Sequence, residues 1–487
     1  MNNIAVLEAR LSELKANIKD KDDVLARLKK QTKAAEPSTS GPNQAKFENN
    51  ESINPTSTAT VPAKVSRLQF RSKRSGATAG QAVIGGAAEK KPASRAIDFE
   101  MPRDIAENEA LDDAIRRTMP TNYNFEIKKT LWRIRRCNAK KVAIQFPEGL
   151  LIFACPISDL LERFGGVEVF IFADVTYGAC CVDDFAARAL DCELLVHYGH
   201  SCLVPVDITS SSPSKEEPGK TQVMYVFVDV NFDVDHMVES IKLEFPNPNS
   251  RLALLGTIQF SGSLHAAKTL LDKYYQQTPA LVPQAKPLSS GEVLGCTSPS
   301  LPQDNLDAFI FVADGRFHLE SAMIANPSLP ALRYDPYGKS FTKEAYDSPL
   351  LLKTRLGDIN RARHARRWGI VLGTLGRQGN PAILQRITKA IQEVKADAHI
   401  ITVLLSELSP SKLAAMENEV EAWVQIACPR LSIDWGEAFS KKPLLTPYEC
   451  FVALGKTEWR TTTYPQDFYS KGSGPWTNYY ESATSVN

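Results

Sequence analysis

One pattern occurs three times along this 487-residue chain and restricts its fold more than any other feature. An apolar run ends in a polar or glycine turn, as VAIQFPEG, LLGTIQFSG and VLGTLGRQG. A helical stretch follows, and a second run then ends in a cysteine, at DVTYGAC (Cys180), EVLGC (Cys296) and WVQIAC (Cys428). Turn and cysteine are 35 residues apart from Gln145 to Cys180, 37 from Gln259 to Cys296 and 52 from Gly376 to Cys428, the last leaving room for an extra element. About twenty residues after each cysteine stands another strand end: Tyr198-Gly199-His200, Phe317-His318 and Thr446-Pro447-Tyr448. The runs VAIQF, VEVFIF, ELLVHY, VMYVFVDV, LALLGTI, AFIFVA, WGIVLG, HIITVLL and AWVQIA show little alternation, and helical stretches separate many of them. Strands that are apolar on both faces belong to parallel sheets covered on each side by helices. The expected fold is α/β: three repeated α/β domains with parallel sheets around a central site, plus a disordered N-terminal extension with a short helix. Loops at the carboxyl ends of such strands build the site. Three units facing one centre would bring together thiols that lie 116 and 132 residues apart in sequence.

Nine cysteines are too few for a disulfide scaffold in a chain of this length. The expected compartment is the reducing cytosol, where a cysteine is core, nucleophile or metal ligand. Thiolates hold zinc or iron–sulfur clusters. A closed zinc site is often built from CxxC pairs, and no CxxC occurs here; nor does CxxxCxxC, the usual radical S-adenosylmethionine signature. Three ligands on a four-iron cluster leave one iron open. Taken singly, each of these cysteines also reads as a small buried hydrophobe. Cys137, Cys155, Cys192 and Cys450 have no special context, and Cys181 and Cys202 lack an equivalent in the other units.

GTLGRQGNP, holding Gly373, Thr374, Gly376, Arg377, Gln378 and Gly379, follows a strand and precedes the helix AILQRITKAI. Free amides at a helix start favour an anion such as a carboxylate. Its spacing fits neither GxGxxG nor GxxxxGK[ST], and a purely structural turn is the competing reading. DGRFHLE, from Asp314 to Glu320, places acid, base and the imidazole of His318 directly after a strand. His318 reads as a ligand, a donor or a satisfied core histidine. Asp183 and Asp184 most simply favour the first turn of a helix.

The first hundred residues differ in kind. Ile4, Leu7, Leu11, Leu14, Ile18, Leu25 and Leu28 occupy a and d heptad positions, with Lys21 breaking the missing one. Residues 1–35 therefore read either as a coiled-coil helix or as a solvated amphipathic one. Residues 36–97, rich in Ser, Thr, Pro, Gly and Ala, read as a disordered linker. Residues 1–97 carry a net charge of +8 and the remainder −7, so the body does not suit a nucleic-acid-binding enzyme. No run approaches the ~20 apolar residues of a membrane helix, and the N-terminus does not read as a signal peptide. The expected division of the rest is 98–220, 221–335 and 336–470 for the three units, and 471–487 for a tail.

At YGACCVDDFAARAL, LLVHYGHSCLVPVD, GEVLGCTSP, DGRFHLESAMIANP, YDPY, GTLGRQGNP and CPRLSIDWGEAF with PLLTPYE, the chain resembles a known family. It is the diphthamide biosynthesis family in its eukaryotic form, subunit 1 of 2-(3-amino-3-carboxypropyl)histidine synthase, and the resemblance runs from Met101 to Tyr469. The resemblance implies three α/β domains holding one 4Fe-4S cluster through Cys180, Cys296 and Cys428. The family motif Tyr-Gly-Ala-Cys places the ligand at Cys180 and not at Cys181. It implies S-adenosylmethionine as co-substrate on the open iron, cleaved reductively at the bond to the aminocarboxypropyl carbon. The 3-amino-3-carboxypropyl group then passes to a histidine of translation elongation factor 2, releasing methylthioadenosine. It implies a heterodimer with the related subunit 2, a small iron protein as electron donor, and a cytoplasmic location, with no nucleic acid or membrane as partner. For the co-substrate, the turn of Gly373, Thr374, Gly376, Arg377 and Gln378 is expected to meet the methionine carboxylate, with Gln259, Asp314 and His318 as further contacts. No general base is readable. Two other readings compete: a non-catalytic partner subunit, and a three-domain 4Fe-4S enzyme like quinolinate synthase. The filled cysteine set argues against the first, and the long matching segments against the second. A coiled-coil scaffold would explain residues 1–35 alone.

Overall fold

The computed structural model describes residues 101–174, 181–201, 203, 221–439, 441–469 and 473–480. The heptads, the linker, Cys180 and Cys202 lie outside the described residues. The described residues begin with helices whose apolar spacing is plain in the sequence. In Ile127–Cys137 the buried residues are Ile127, Thr130, Leu131 and Ile134, one stripe at helical period. The helix stops at Asn138, which is left-handed. A two-residue strand, β1 (Tyr123–Asn124), precedes it.

Three four-stranded sheets follow. The first contains β2 (Lys141–Gln145), β3 (Glu168–Phe172), β4 (Leu194–Tyr198) and β5 (Gln222–Val226), ordered β3-β2-β4-β5 and wholly parallel. A short strand, β6 (Asp229–Val230), returns to pair antiparallel with β1. The second sheet runs β7 (Leu252–Gly256), β8 (Ala308–Val312), β9 (Ala331–Asp335) and β10 (Ser340–Glu344) in sequence order, with only β10 antiparallel. The third contains β11 (Arg367–Gly373), β12 (His399–Leu405), β13 (Ala422–Ile426) and β14 (Leu444–Leu445), ordered β12-β11-β13-β14 and again parallel. β4, β7, β8 and β13 are buried along their whole length, as strands that are apolar on both faces require.

The first and third sheets share one order, in which the second strand lies outside the first and the third lies inside. The second sheet keeps the same plan in reduced form. Leu281 and Glu292 bridge in parallel to Ala253 and Gly256, so the segment 281–292 takes the place of a second strand. EVLGC, read as a strand, is therefore only an isolated bridge.

Other readings of the sequence also shift. Cys428 follows the third strand of its sheet, not the second, because β12 and its helices occupy the extra length between Gly376 and Cys428. VMYVFVDV is two strands, broken at Val228 with φ +56°, so β5 completes the first sheet while β6 turns back to β1. β5 thus lies on the first sheet although residues 221–335 were expected to form the second unit, and β10 extends the second sheet beyond 335. Residues 473–480, expected as tail, are packed: Trp476 is buried with its ring 5.0 Å from that of Tyr448. No helix among the described residues is long and apolar enough to cross a membrane.

Candidate functional site

The carboxyl ends of the strands meet where the three units touch, and buried polar side chains make the junctions. Gln145 ends β2 and is fully buried in an otherwise apolar strand. Its amide donates to the Cys181 carbonyl at 2.8 Å, and its oxygen accepts from the Asp183 amide at 3.2 Å. Asp183 caps the helix Asp184–Ala189 by accepting from Ala186. In the third unit, Gln425 plays the same part for Cys428: its amide donates to the Cys428 carbonyl and its oxygen accepts from the Ala427 amide.

The turn after β11 docks on the Cys181 segment. Gly376 has φ +54°, and a Cβ there would stand 2.7 Å from the Cys181 carbonyl carbon, so only glycine fits. Gln378 donates to Cys181 Sγ at 2.9 Å. Arg377 grips Asp184 with two nitrogens at 2.7 and 2.6 Å, its guanidinium lying over the Phe185 ring. Thr374 donates to the Leu405 carbonyl, and Gly373 lies against Ala427, the neighbour of Cys428. Gly373, Thr374, Gly376, Arg377 and Gln378 therefore sit together between the Cys181 segment and the Cys428 strand end. A ligand carboxylate at Arg377 would have to compete with Asp184. Asp184, expected only to favour a helix start, is wholly buried beneath Arg377 and Arg188.

Arg430, two residues after Cys428, makes the junction between the third and second units. It donates to the Gly295 carbonyl at 3.2 Å and the Phe317 carbonyl at 2.6 Å, pairs with Glu320 at 2.6 Å and Asp434 at 2.7 Å, and stacks over Phe317. Cys296 follows Gly295 directly, and a Cβ on Gly295 would run into the Phe317 ring. Each thiol loop thus carries a strut to another unit.

Of the two described ligand candidates, Cys296 feels Cys428. Burial first, and then the charge of Cys428, raise the Cys296 thiol above its ordinary range. Burial pushes Cys428 up to about 12, with the Cys181 thiol adding to the shift. Among the described residues, no group of three His, Cys, Asp or Glu is gathered as for a metal ion; the third candidate, Cys180, lies outside them. The donor chemistry suits a thiolate-bound metal group. Soft thiols brought together away from water stay neutral until a cation compensates the thiolate charge.

A cavity of about 390 Å³ opens between the first and second units, at the carboxyl ends of β2, β4, β7 and β8. Gln259, Asp314 and His318 all line it, together with Glu148, His200 and Tyr337. Gln259 donates to the Gly199 carbonyl at 3.3 Å. The rings of His200 and His318 are 6.0 Å apart. Burial lowers His200 to about 4 and His318 to about 3, so both are neutral. Phe317 joins the two regions, lining the cavity while its ring packs on Gly295.

The residues missed at the sequence level are mostly struts. Gln145 and Gln425 had a signal: a lone amide inside VAIQF and WVQIA. Arg430 and the buried Glu292, which accepts from Ser201 across the first junction at 2.7 Å, had none beyond their nearness to a cysteine or a strand end.

Known proteins agree with this architecture. The family described as "Putative diphthamide synthesis protein" matches residues 146–465. Subunit 1 of 2-(3-amino-3-carboxypropyl)histidine synthase from Gallus gallus is 53% identical over 386 residues, covering 79% of this chain and 90% of the relative. The Homo sapiens protein of that name is 51% identical over 406 residues, covering 81% and 88%. The crystal structure of Dph2 from Pyrococcus horikoshii with a 4Fe-4S cluster superposes with a TM-score of 0.56 at 26% identity, covering 70% of this chain and 94% of that one. The chain belongs to the diphthamide synthesis family, among the subunit 1 members of the histidine synthase.

Proposed function

We propose that this protein holds a 4Fe-4S cluster through Cys180, Cys296 and Cys428 and transfers the 3-amino-3-carboxypropyl group of S-adenosylmethionine to a histidine of translation elongation factor 2. The observation that carries this reading is the junction that joins the Cys296 and Cys428 loops, 132 residues apart in sequence: Arg430, two residues after Cys428, donates to the carbonyl of Gly295, the neighbour of Cys296, at 3.2 Å. The cluster in the archaeal structure and the names of the relatives support it. The chemistry such a cluster supplies when bound is one-electron donation to a sulfonium.

The rest falls to the chain. Gln145 and Gln425 fix the backbones that carry Cys181 and Cys428, so the thiol positions do not depend on flexible side chains. Arg430 and Arg377 lock the second and first units onto the third and keep bulk water from the thiols. The cavity beside Phe317, with Gln259, Asp314 and His318 in its walls, is the proposed seat of the co-substrate. The glycine turn 373–379 shapes the side nearest Cys428, where its amides would meet the methionine carboxylate. The related subunit 2, the iron protein that donates electrons and the cytoplasmic setting complete the reading.

Anaerobic purification followed by iron and sulfide analysis and electron paramagnetic resonance tests the cluster. Transfer of carboxyl-labelled carbon from S-adenosylmethionine to elongation factor 2, with subunit 2 and a reductant present, tests the reaction. A Cys296→Ala protein that keeps full iron and full transfer would overturn the assignment.

A further inference from the structure

We propose that His197 is a positioning residue of the thiol site: through Gln145 it fixes the backbone of the segment Cys181–Asp184, which directly follows the proposed ligand Cys180. This rests on the reading of the protein as the holder of a thiolate-bound cluster.

His197 lies on β4 as the register partner of Gln145 on β2. Its Nδ1 stands 3.0 Å from Gln145 Oε1. The Gln145 amide has only one satisfactory orientation. Its nitrogen faces the Cys181 carbonyl and its oxygen the Asp183 amide. Turned over, it would set donor against donor and acceptor against acceptor. Gln145 Oε1 is therefore an acceptor, and Nδ1 of His197 carries the hydrogen. Burial, and then His200, lower His197 to about 3, so the ring is neutral and has that N–H alone. Nε2 is left as a bare acceptor, buried and without a partner.

An unpaired buried nitrogen costs stability, and the surroundings would suit a hydrocarbon. Leu195, two residues earlier on the same face of β4, packs with Ala143, Val182, Ala187 and Cys192 in a small apolar cluster. Tyr225 lies edge-on to the His197 ring. What the imidazole supplies and a leucine cannot is a second donor to Gln145 Oε1. The segment held in this way is the seat of the third unit's turn. Gln378 donates to Cys181 Sγ, Arg377 pairs with Asp184, and Gly376 lies against the Cys181 carbonyl. A local cost at His197 thus accompanies fixed geometry at the site, the pattern of a residue kept for function and not for the core.

The test compares two variants of the full-length, anaerobically purified protein. His197→Leu removes the unpaired nitrogen and the donor together, whereas His197→Asn keeps an N–H near the place of Nδ1. In metal-free His197→Leu the urea midpoint should equal or exceed that of wild type. Hydrogen exchange in peptides covering residues 181–186 should nevertheless quicken about ten-fold, the factor that a hydrogen bond of roughly 1.4 kcal/mol represents. Iron should be lost to a chelator several-fold faster, and the electron paramagnetic resonance signal of the reduced protein should broaden. His197→Asn should return exchange and iron retention toward wild type. Wild-type exchange at 181–186 with wild-type iron retention in His197→Leu would overturn the proposal. So would a lowered midpoint with exchange quickened across the whole first sheet, because His197 would then serve only the core. A wild-type protein that holds no iron would remove the cluster reading, and the exchange measurement on metal-free protein would still decide whether His197 fixes this segment.

Discussion

Replacing Arg430 by Leu should loosen the site more than any exposed change. The side chain is only 2% exposed and meets two carboxylates, two backbone carbonyls and an aromatic face. Leucine fills much of the space but leaves Asp434 and the carbonyls of Gly295 and Phe317 without their donor, and Glu320 with Arg316 alone at 3.4 Å. Removing one partner of a buried ion pair costs about 3–5 kcal/mol, chiefly because the other charge stays behind. Against a total stability of roughly 5–15 kcal/mol, that is a fifth of the fold or more. Arg430→Lys keeps a charge for one carboxylate and loses the fork, so about 2–3 kcal/mol is expected. Adding Asp434→Asn to Arg430→Leu should recover about 1 kcal/mol, since a stranded charge is removed. Urea denaturation followed by intrinsic fluorescence, together with iron retention at a fixed urea concentration, measures all three. An Arg430→Leu protein with the wild-type midpoint and wild-type iron retention would refute the idea that this residue joins the two thiol loops.

Cys296→Ala and Cys428→Ala should each abolish iron binding, while Cys450→Ala, a buried cysteine in the third core, should keep its iron and lose only about 1 kcal/mol; metal analysis of the three purified variants decides. Acid should destabilise the protein through buried histidines. His197 and His200 have folded-state values of about 3 and 4, below the unfolded 6.5, so the unfolded chain takes up more protons as pH falls below 6.5. Each should cost about 2 kcal/mol by pH 5 and nothing above pH 7.5, read from urea midpoints across that window. Gly376→Ala meets both a left-handed backbone and the Cys181 carbonyl, and should cost at least about 1–2 kcal/mol in thermal or urea unfolding. Gln145→Leu strands the Cys181 carbonyl and the Asp183 amide, so hydrogen exchange should quicken across residues 181–186 before it does elsewhere.

Much of this fold was legible because the sheets are parallel and buried on both faces. Runs such as LALLG, AFIFV and AWVQI can be little else, and each is a strand. EVLGC failed for the opposite reason. Its pairing is down to single bridges at Leu281 and Glu292, too short to leave a periodic trace. VMYVFVDV failed because its break lies in the backbone angle of Val228, and valine carries no turn signal. For the site, the strand-end cysteines and the cavity residues Gln259, Asp314 and His318 stood out by position. The partners of Arg377 and Arg430 did not, since a guanidinium reads as surface until the fold supplies a buried or half-buried carboxylate 193 or 110 residues away.

The dispersal of the cysteines over three sheets ties site formation to the order of folding. Closing loops of 116 and 132 residues costs roughly 4 kcal/mol each in chain entropy, and no single unit recovers that cost through its own thiol. During synthesis the nascent chain presents its cysteines one at a time, each solitary until the next sheet has docked. The junctions at Gln378, Arg377 and Arg430 must close before the thiols converge, because they hold the loops that carry them. A chain stopped after its second sheet has the cavity beside Phe317 but not the third thiol. On the proposed ligand set, metal capture would be a checkpoint on maturation, passed only by a chain whose last sheet has reached its place.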